Sequence, residues 1–92
     1  MIIYKVINKS NGKVYVGQDS KNNSDYLGSG SYIVSAVKKY GKENFVREVI
    51  DKANTIEELN EKEKYWIKFY NCRVPNGYNL TDGGKGLSGC LP

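Results

Sequence analysis

From Ile2 to Gly17 the chain reads as a β-hairpin, and this element limits what the remaining residues can build. Ile2, Ile3, Tyr4, Val6 and Ile7 are strand formers, Asn8 to Gly12 supplies a turn, and Lys13 to Val16 starts the returning strand. Asn11 and Gly12 both tolerate the positive φ that a right-twisted hairpin requires. Side chains alternate across a strand, so Ile2, Tyr4 and Val6 share one side, and Lys13, Tyr15 and Gly17 share one side of the partner. On the hairpin alone Tyr4 and Tyr15 read first as a cross-strand aromatic pair that stabilises the sheet. The second reading is chemical: two phenols and the Lys13 ammonium on one surface.

Ninety-two residues make one domain with a small core. The net charge of +4 suits a phosphate-bearing partner but does not demand one. No apolar run approaches bilayer length, and Met1 opens directly onto the first strand without a secretory leader, so a cytoplasmic protein is expected. Cys72 and Cys90 lack the CxxC spacing of a zinc site and are expected to be free thiols. The chain contains no histidine. That excludes Ser-His and Cys-His nucleophile pairs and HExxH zinc sites, and leaves proton transfer to tyrosine, lysine, a carboxylate or metal chemistry.

Gln18 to Gly30 is rich in Ser, Asn, Asp and Gly and reads as a loop. Ile33, Ala36, Val37 and Tyr40 recur at helical spacing, and Gly41 stops the helix they predict. Lys38 and Lys39 fall in its last turn, where the helix dipole favours cations. Phe45 to Ile50 predicts a third strand, with Phe45 and Val49 on one face and Val46 and Ile50 on the other. Thr55-Ile56-Glu57-Glu58 has the form of a capping box and opens a second helix to about Tyr70, with Ile56, Leu59, Trp66, Ile67 and Tyr70 as its apolar stripe. Tyr78-Asn79-Leu80 can add a short C-terminal edge strand, and Thr81 to Pro92 reads as a Gly-rich tail or the start of a linker. The fold class is therefore α+β: a small three-stranded antiparallel sheet flanked by helices over residues 1–80.

Glu63 interrupts the second helix's apolar stripe, four residues after Leu59 and four before Ile67. A carboxylate there must pair, protonate or bind a cation, because ionised and alone in an apolar setting it costs several kcal/mol. The alternative is a helix rim, where Glu63 leans out to water or meets a lysine.

These residues together resemble the GIY-YIG nuclease domain. The likeness runs through Ile2-Ile3-Tyr4, Tyr15-Val16-Gly17, Glu61 to Ile67 and Gly77-Tyr78-Asn79. Gly28-Ser29-Gly30, Lys39-Tyr40-Gly41 and Gly77 to Gly84 narrow it to phage-type homing endonucleases, and the ordered set spans nearly the whole chain. The resemblance implies metal-dependent phosphodiester hydrolysis of double-stranded DNA, with Mg²⁺ or Mn²⁺ as cofactor, in a bacterial or phage-infected cell. It implies that Tyr4 acts on the attacking water, Tyr15 orders the site, Glu63 holds one divalent cation and Asn79 supports them. Tyrosine is a poor base at its usual pKa of ~10, so a cation beside it is needed, and Lys13 is the nearest candidate.

Two departures from the family pattern stand out. Ile2 occupies the usual glycine position of the first motif. The arginine commonly found after the second motif is absent between Gly17 and Tyr40. Lys21, Lys38 or Lys39 could replace it as a phosphate-binding point charge, without the bidentate fork of a guanidinium, while Arg47 and Arg73 lie further along. The expectation is a homing-type endonuclease catalytic domain served by a C-terminal DNA-binding region outside this chain. The alternative is a catalytically silent nucleic-acid-binding module of the same fold.

Overall fold

The computed structural model describes residues 1–20, 27, 28 and 30–80. Strands β1 (Ile2–Asn8) and β2 (Val14–Asp19) form the hairpin, helix α1 (Ser31–Tyr40) and a 3₁₀ turn (Lys42–Asn44) follow, and β3 (Phe45–Lys52) precedes helix α2 (Ile56–Tyr70). The sheet is antiparallel in the order β2-β1-β3, which leaves β2 as an edge strand. Gly12 supplies the hairpin's positive φ, at 77°; Asn11 does not share it and instead accepts the Lys13 N–H on its side-chain oxygen.

Period-two alternation splits the core in two. Ile2, Tyr4 and Val6 join Ile33 and Ala36 of α1, with Phe45 and Tyr78 closing that layer. Ile3 and Val16 point the other way, onto Leu59 and Ile67 of α2, with Ala53 and Cys72 beside them. The helices thus lie on opposite faces of the sheet, and each fully buried Ile, Val or Leu contributes roughly 1.5–3 kcal/mol through burial. A register shift between Ile3 and Tyr4 changes the end of β3: Tyr4 faces Val49 but Ile3 faces Asp51, so Ile50 has no cross-strand partner of its own. Ile50 therefore packs into the α2-side layer, and Asp51 reaches α2 as well, accepting from the Trp66 indole N–H at 2.9 Å.

Thr55 caps α2 as the sequence predicts, accepting the Glu58 N–H. The Glu58 carboxylate reaches one residue further back, to the Asn54 N–H, in place of the Thr55 N–H of a closed capping box. Ile56 stays 55% exposed, and the buried stripe is carried by Leu59, Asn60, Glu63 and Ile67. The short C-terminal edge strand reduces to a single bridge between Arg73 and Asn79. The expected Gly-rich tail, 81–92, lies outside the described residues.

Candidate active site

The register sets Tyr4 opposite Gly17 and Val6 opposite Tyr15, so both phenols lie on the α1 face, 6.3 Å apart between ring centres. Gly17 makes this possible by lacking a side chain: a Cβ there would sit 2.6 Å from the Tyr4 hydroxyl oxygen and 2.9 Å from the Tyr15 ring. The glycine that closes the second motif is thus a steric requirement of the tyrosine that closes the first.

The cation beside Tyr4 is Arg47. Its guanidinium lies 4.5 Å from the Tyr4 ring centre and pairs with Asp19 at 3.2 Å, both side chains being about nine-tenths buried. Sequence reading assigned this neighbourhood to Lys13, which instead lines a separate hollow with Tyr32, Val74, Pro75, Gly77 and Tyr78. Arg47 shares the β3 face of buried Phe45, opposite Val6 of β1, which places it beside Tyr4. Lys38 and Lys39 are exposed at the end of α1, Lys39 lying over the Tyr40 ring, and Lys21 falls outside the described residues.

On the opposite face Glu63 is 5% exposed, directed at the sheet by its place between Leu59 and Ile67. Its carboxylate accepts a hydrogen bond from the Gln18 side-chain amide at 3.0 Å, and the same amide donates to Asn60 Oδ1 at 2.9 Å. Gln18 follows Gly17 in β2, so consecutive residues of one edge strand serve opposite faces: Gly17 admits the phenols and Gln18 holds the carboxylate. Gln18 and Asn60 escaped the sequence reading. Asn60 was detectable as a second polar residue in the stripe, one helical turn before Glu63.

Asn79 closes the free edge between these faces. Its side-chain oxygen accepts the Val16 N–H at 2.9 Å and its amide donates to the Val16 carbonyl at 2.8 Å, mimicking a neighbouring strand. The Cys72 thiol also donates to that oxygen, at 3.0 Å, and burial pushes its pKa up to about 11. The preceding two residues explain how Asn79 gets there. A Cβ on Gly77 would meet the Cys72 and Val14 carbonyl oxygens at 2.4 and 2.5 Å, and the Tyr78 hydroxyl accepts from the buried Asn8 amide at 3.0 Å.

Known proteins resemble this chain in sequence and in fold. The chain is 40% identical over 85 residues to the segB protein of Enterobacteria phage T4, across 90% of this chain and 38% of that protein. It is 33% identical over 85 residues to endonuclease segA of the same phage, across 90% of this chain and 38% of that protein. The catalytic domain of homing endonuclease I-TevI superposes with a TM-score of 0.69 at 27% identity, across 86% of this chain and 96% of that one. The fold is that of a GIY-YIG nuclease domain. A glutamate-to-alanine variant of the I-TevI catalytic domain gives a TM-score of 0.70 at 26% identity, across 88% of this chain and 93% of that one. No protein-family model matches the chain. The chain spans about two fifths of the length of the curated relatives it matches. Among its described residues, no helix is long and apolar enough to cross a membrane.

Proposed function

We propose that this chain is the catalytic domain of a DNA endonuclease of the homing type, hydrolysing phosphodiester bonds of duplex DNA with one divalent cation. The observation that carries the reading is Glu63: a carboxylate buried to 5% exposure on the sheet-facing side of α2, next to the strand that admits both phenols. Its chemistry fits Mg²⁺, which is commonly held by one or two carboxylates and otherwise by water and substrate phosphate. No three His, Cys, Asp or Glu side chains gather among the described residues; Glu63 is the residue that would hold the cation, and Mn²⁺ would satisfy the same donor. When bound, the cation supplies positive charge to the scissile phosphate.

The remaining work belongs to the chain. Gln18, by engaging one carboxylate oxygen, restricts the Glu63 rotamer. Tyr4 is the candidate to orient and deprotonate the attacking water, with the Arg47 guanidinium lying over its ring. Tyr15 packs against Tyr4 and fixes its ring. Asn79 keeps β2 at a constant distance from the segment that follows α2. The greater length of the curated relatives supports a further DNA-binding region outside this chain, and their phage origin supports an infected bacterial cytoplasm as the working compartment.

Plasmid nicking in Mg²⁺ tests the reading. The parent is expected to nick, and Glu63→Gln to fall at least 100-fold while losing the Mg²⁺-dependent rise in Tm. Cleavage by Glu63→Gln at the parental rate would overturn the assignment. A parent that binds duplex DNA without cutting it would instead be the silent binding module.

A further inference from the structure

We infer that a groove on the outer flank of α2 seats the sugar-phosphate backbone of the DNA strand that leads to Glu63. The inference rests on the nuclease reading above and adds where the substrate lies. The groove holds about 410 Å³ and is lined by Lys64, Ile67, Lys68, Asn71 and Arg73. It carries three cationic side chains and no carboxylate. Its floor residue, Ile67, lies one helical turn beyond Glu63 on the same buried stripe, so the groove starts where the proposed cation anchor ends. Its far wall continues into the site too, since Arg73 bridges to Asn79, whose amide holds β2.

Fold maintenance does not account for the two lysines, while Arg73 also donates to the Leu80 carbonyl at 3.4 Å. Lysines near a helix C-terminus often answer exposed carbonyls, but the Asn71 N–H already reaches the Ile67 and Lys68 carbonyls, and the Cys72 N–H bonds Ile67 at 3.2 Å. Lys64 meets Glu61 only at 3.9 Å on an exposed surface, an ion pair of little energetic weight. The groove beside the end of β3 differs in this respect: its Asp51, Glu58 and Lys62 neutralise one another at 3.2 Å. A row of cations in a trough fits a polyanion taken by its phosphates.

The test measures binding of the full chain to fluorescent 30-base-pair duplexes of two unrelated sequences, in Ca²⁺ to suppress cleavage, over a range of NaCl concentrations. Lys64→Gln/Lys68→Gln/Arg73→Gln is compared with the parent and with Lys38→Gln/Lys39→Gln on the opposite helix. A Tm within a few degrees of the parent's shows each variant folded, and Lys68→Glu alone stands in should the triple variant not fold. For every phosphate that a variant no longer neutralises, the slope of log K against log salt becomes shallower by roughly 0.9. The groove variant is expected to be shallower by about 2 or more, equally on both duplexes, and the α1 variant to keep the parental slope. The single variant is expected to be shallower by about 0.9, the share of one phosphate. An unchanged slope in the groove variants, an effect confined to one sequence, or a parent with no salt-sensitive binding would overturn the inference. A parent that binds through the groove but never cuts would overturn the nuclease reading and leave the groove standing.

Discussion

The two faces of the sheet position their chemistry by different means. On the α1 face the phenols are held by shape: Gly17 leaves a space that the Tyr4 hydroxyl fills, and Tyr15 and Arg47 pack on the Tyr4 ring. On the α2 face the carboxylate is held by directed hydrogen bonds from Gln18, itself tied to Asn60. Sterically held groups fail when volume is added, whereas hydrogen-bonded groups fail when a partner is removed. The same edge strand therefore has opposite sensitivities at adjacent positions.

Adding one methyl group to the α1 face should break it most severely. Gly17→Ala places a carbon 2.6 Å from the Tyr4 hydroxyl and is expected to cost about 1–3 kcal/mol in urea unfolding through overpacking. Nicking should drop more than tenfold because the phenol is displaced. Gln18→Ala, which adds no volume, should leave the phenols in place and remove a donor from Glu63 and Asn60, at about 1–2 kcal/mol. Its signature would be a raised Mg²⁺ requirement for nicking. If Gly17→Ala and Gln18→Ala gave indistinguishable phenotypes, the contrast between the faces would be wrong.

Two smaller effects probe the α2 face through pH. Burial raises the Cys72 pKa from 9.0 to about 11, so the folded state keeps a proton that the unfolded chain has lost between those values. Stability from this group is complete below pH 9 and declines as pH rises, by about 1.4 kcal/mol at pH 10. Unfolding titrations of Cys72→Ala should lack that decline. Asp51 runs the other way. The Trp66 indole N–H, then the Lys52 N–H and Lys62, hold its carboxyl below the usual 3.8 against the opposing effect of burial. Its contribution is present above that value and disappears as pH falls through the lower folded pKa. Because Asp51 is only partly buried, the contribution is small, and Asp51→Asn should flatten acid unfolding slightly.

What was legible in the sequence was what periodicity carries. The hairpin, both helices, the third strand and the place of Glu63 within the α2 stripe follow from alternation, helical spacing and caps, which are local. The cation beside Tyr4 was not local. Arg47 reaches that ring because β1 lies centrally and pairs with β3 as well as with β2, an adjacency that no count along the chain reveals. Gln18 read as the first residue of a loop because β2 continues past its apolar residues to Asp19, held there by pairing with Ile2 and Ile3. Tyr78-Asn79-Leu80 suggested a strand. Its packing made one side-chain amide do a strand's work, which the three residue types alone do not distinguish.

The Asn79 clasp also sets an order of events. It joins positions 63 residues apart, so in a chain emerging from the ribosome the hairpin exists for most of synthesis with the Val16 edge open. That edge closes only after the residues following α2 have been made. On the proposed reading, the nascent chain lacks the last brace of the candidate site until the residues that follow α2 have been made.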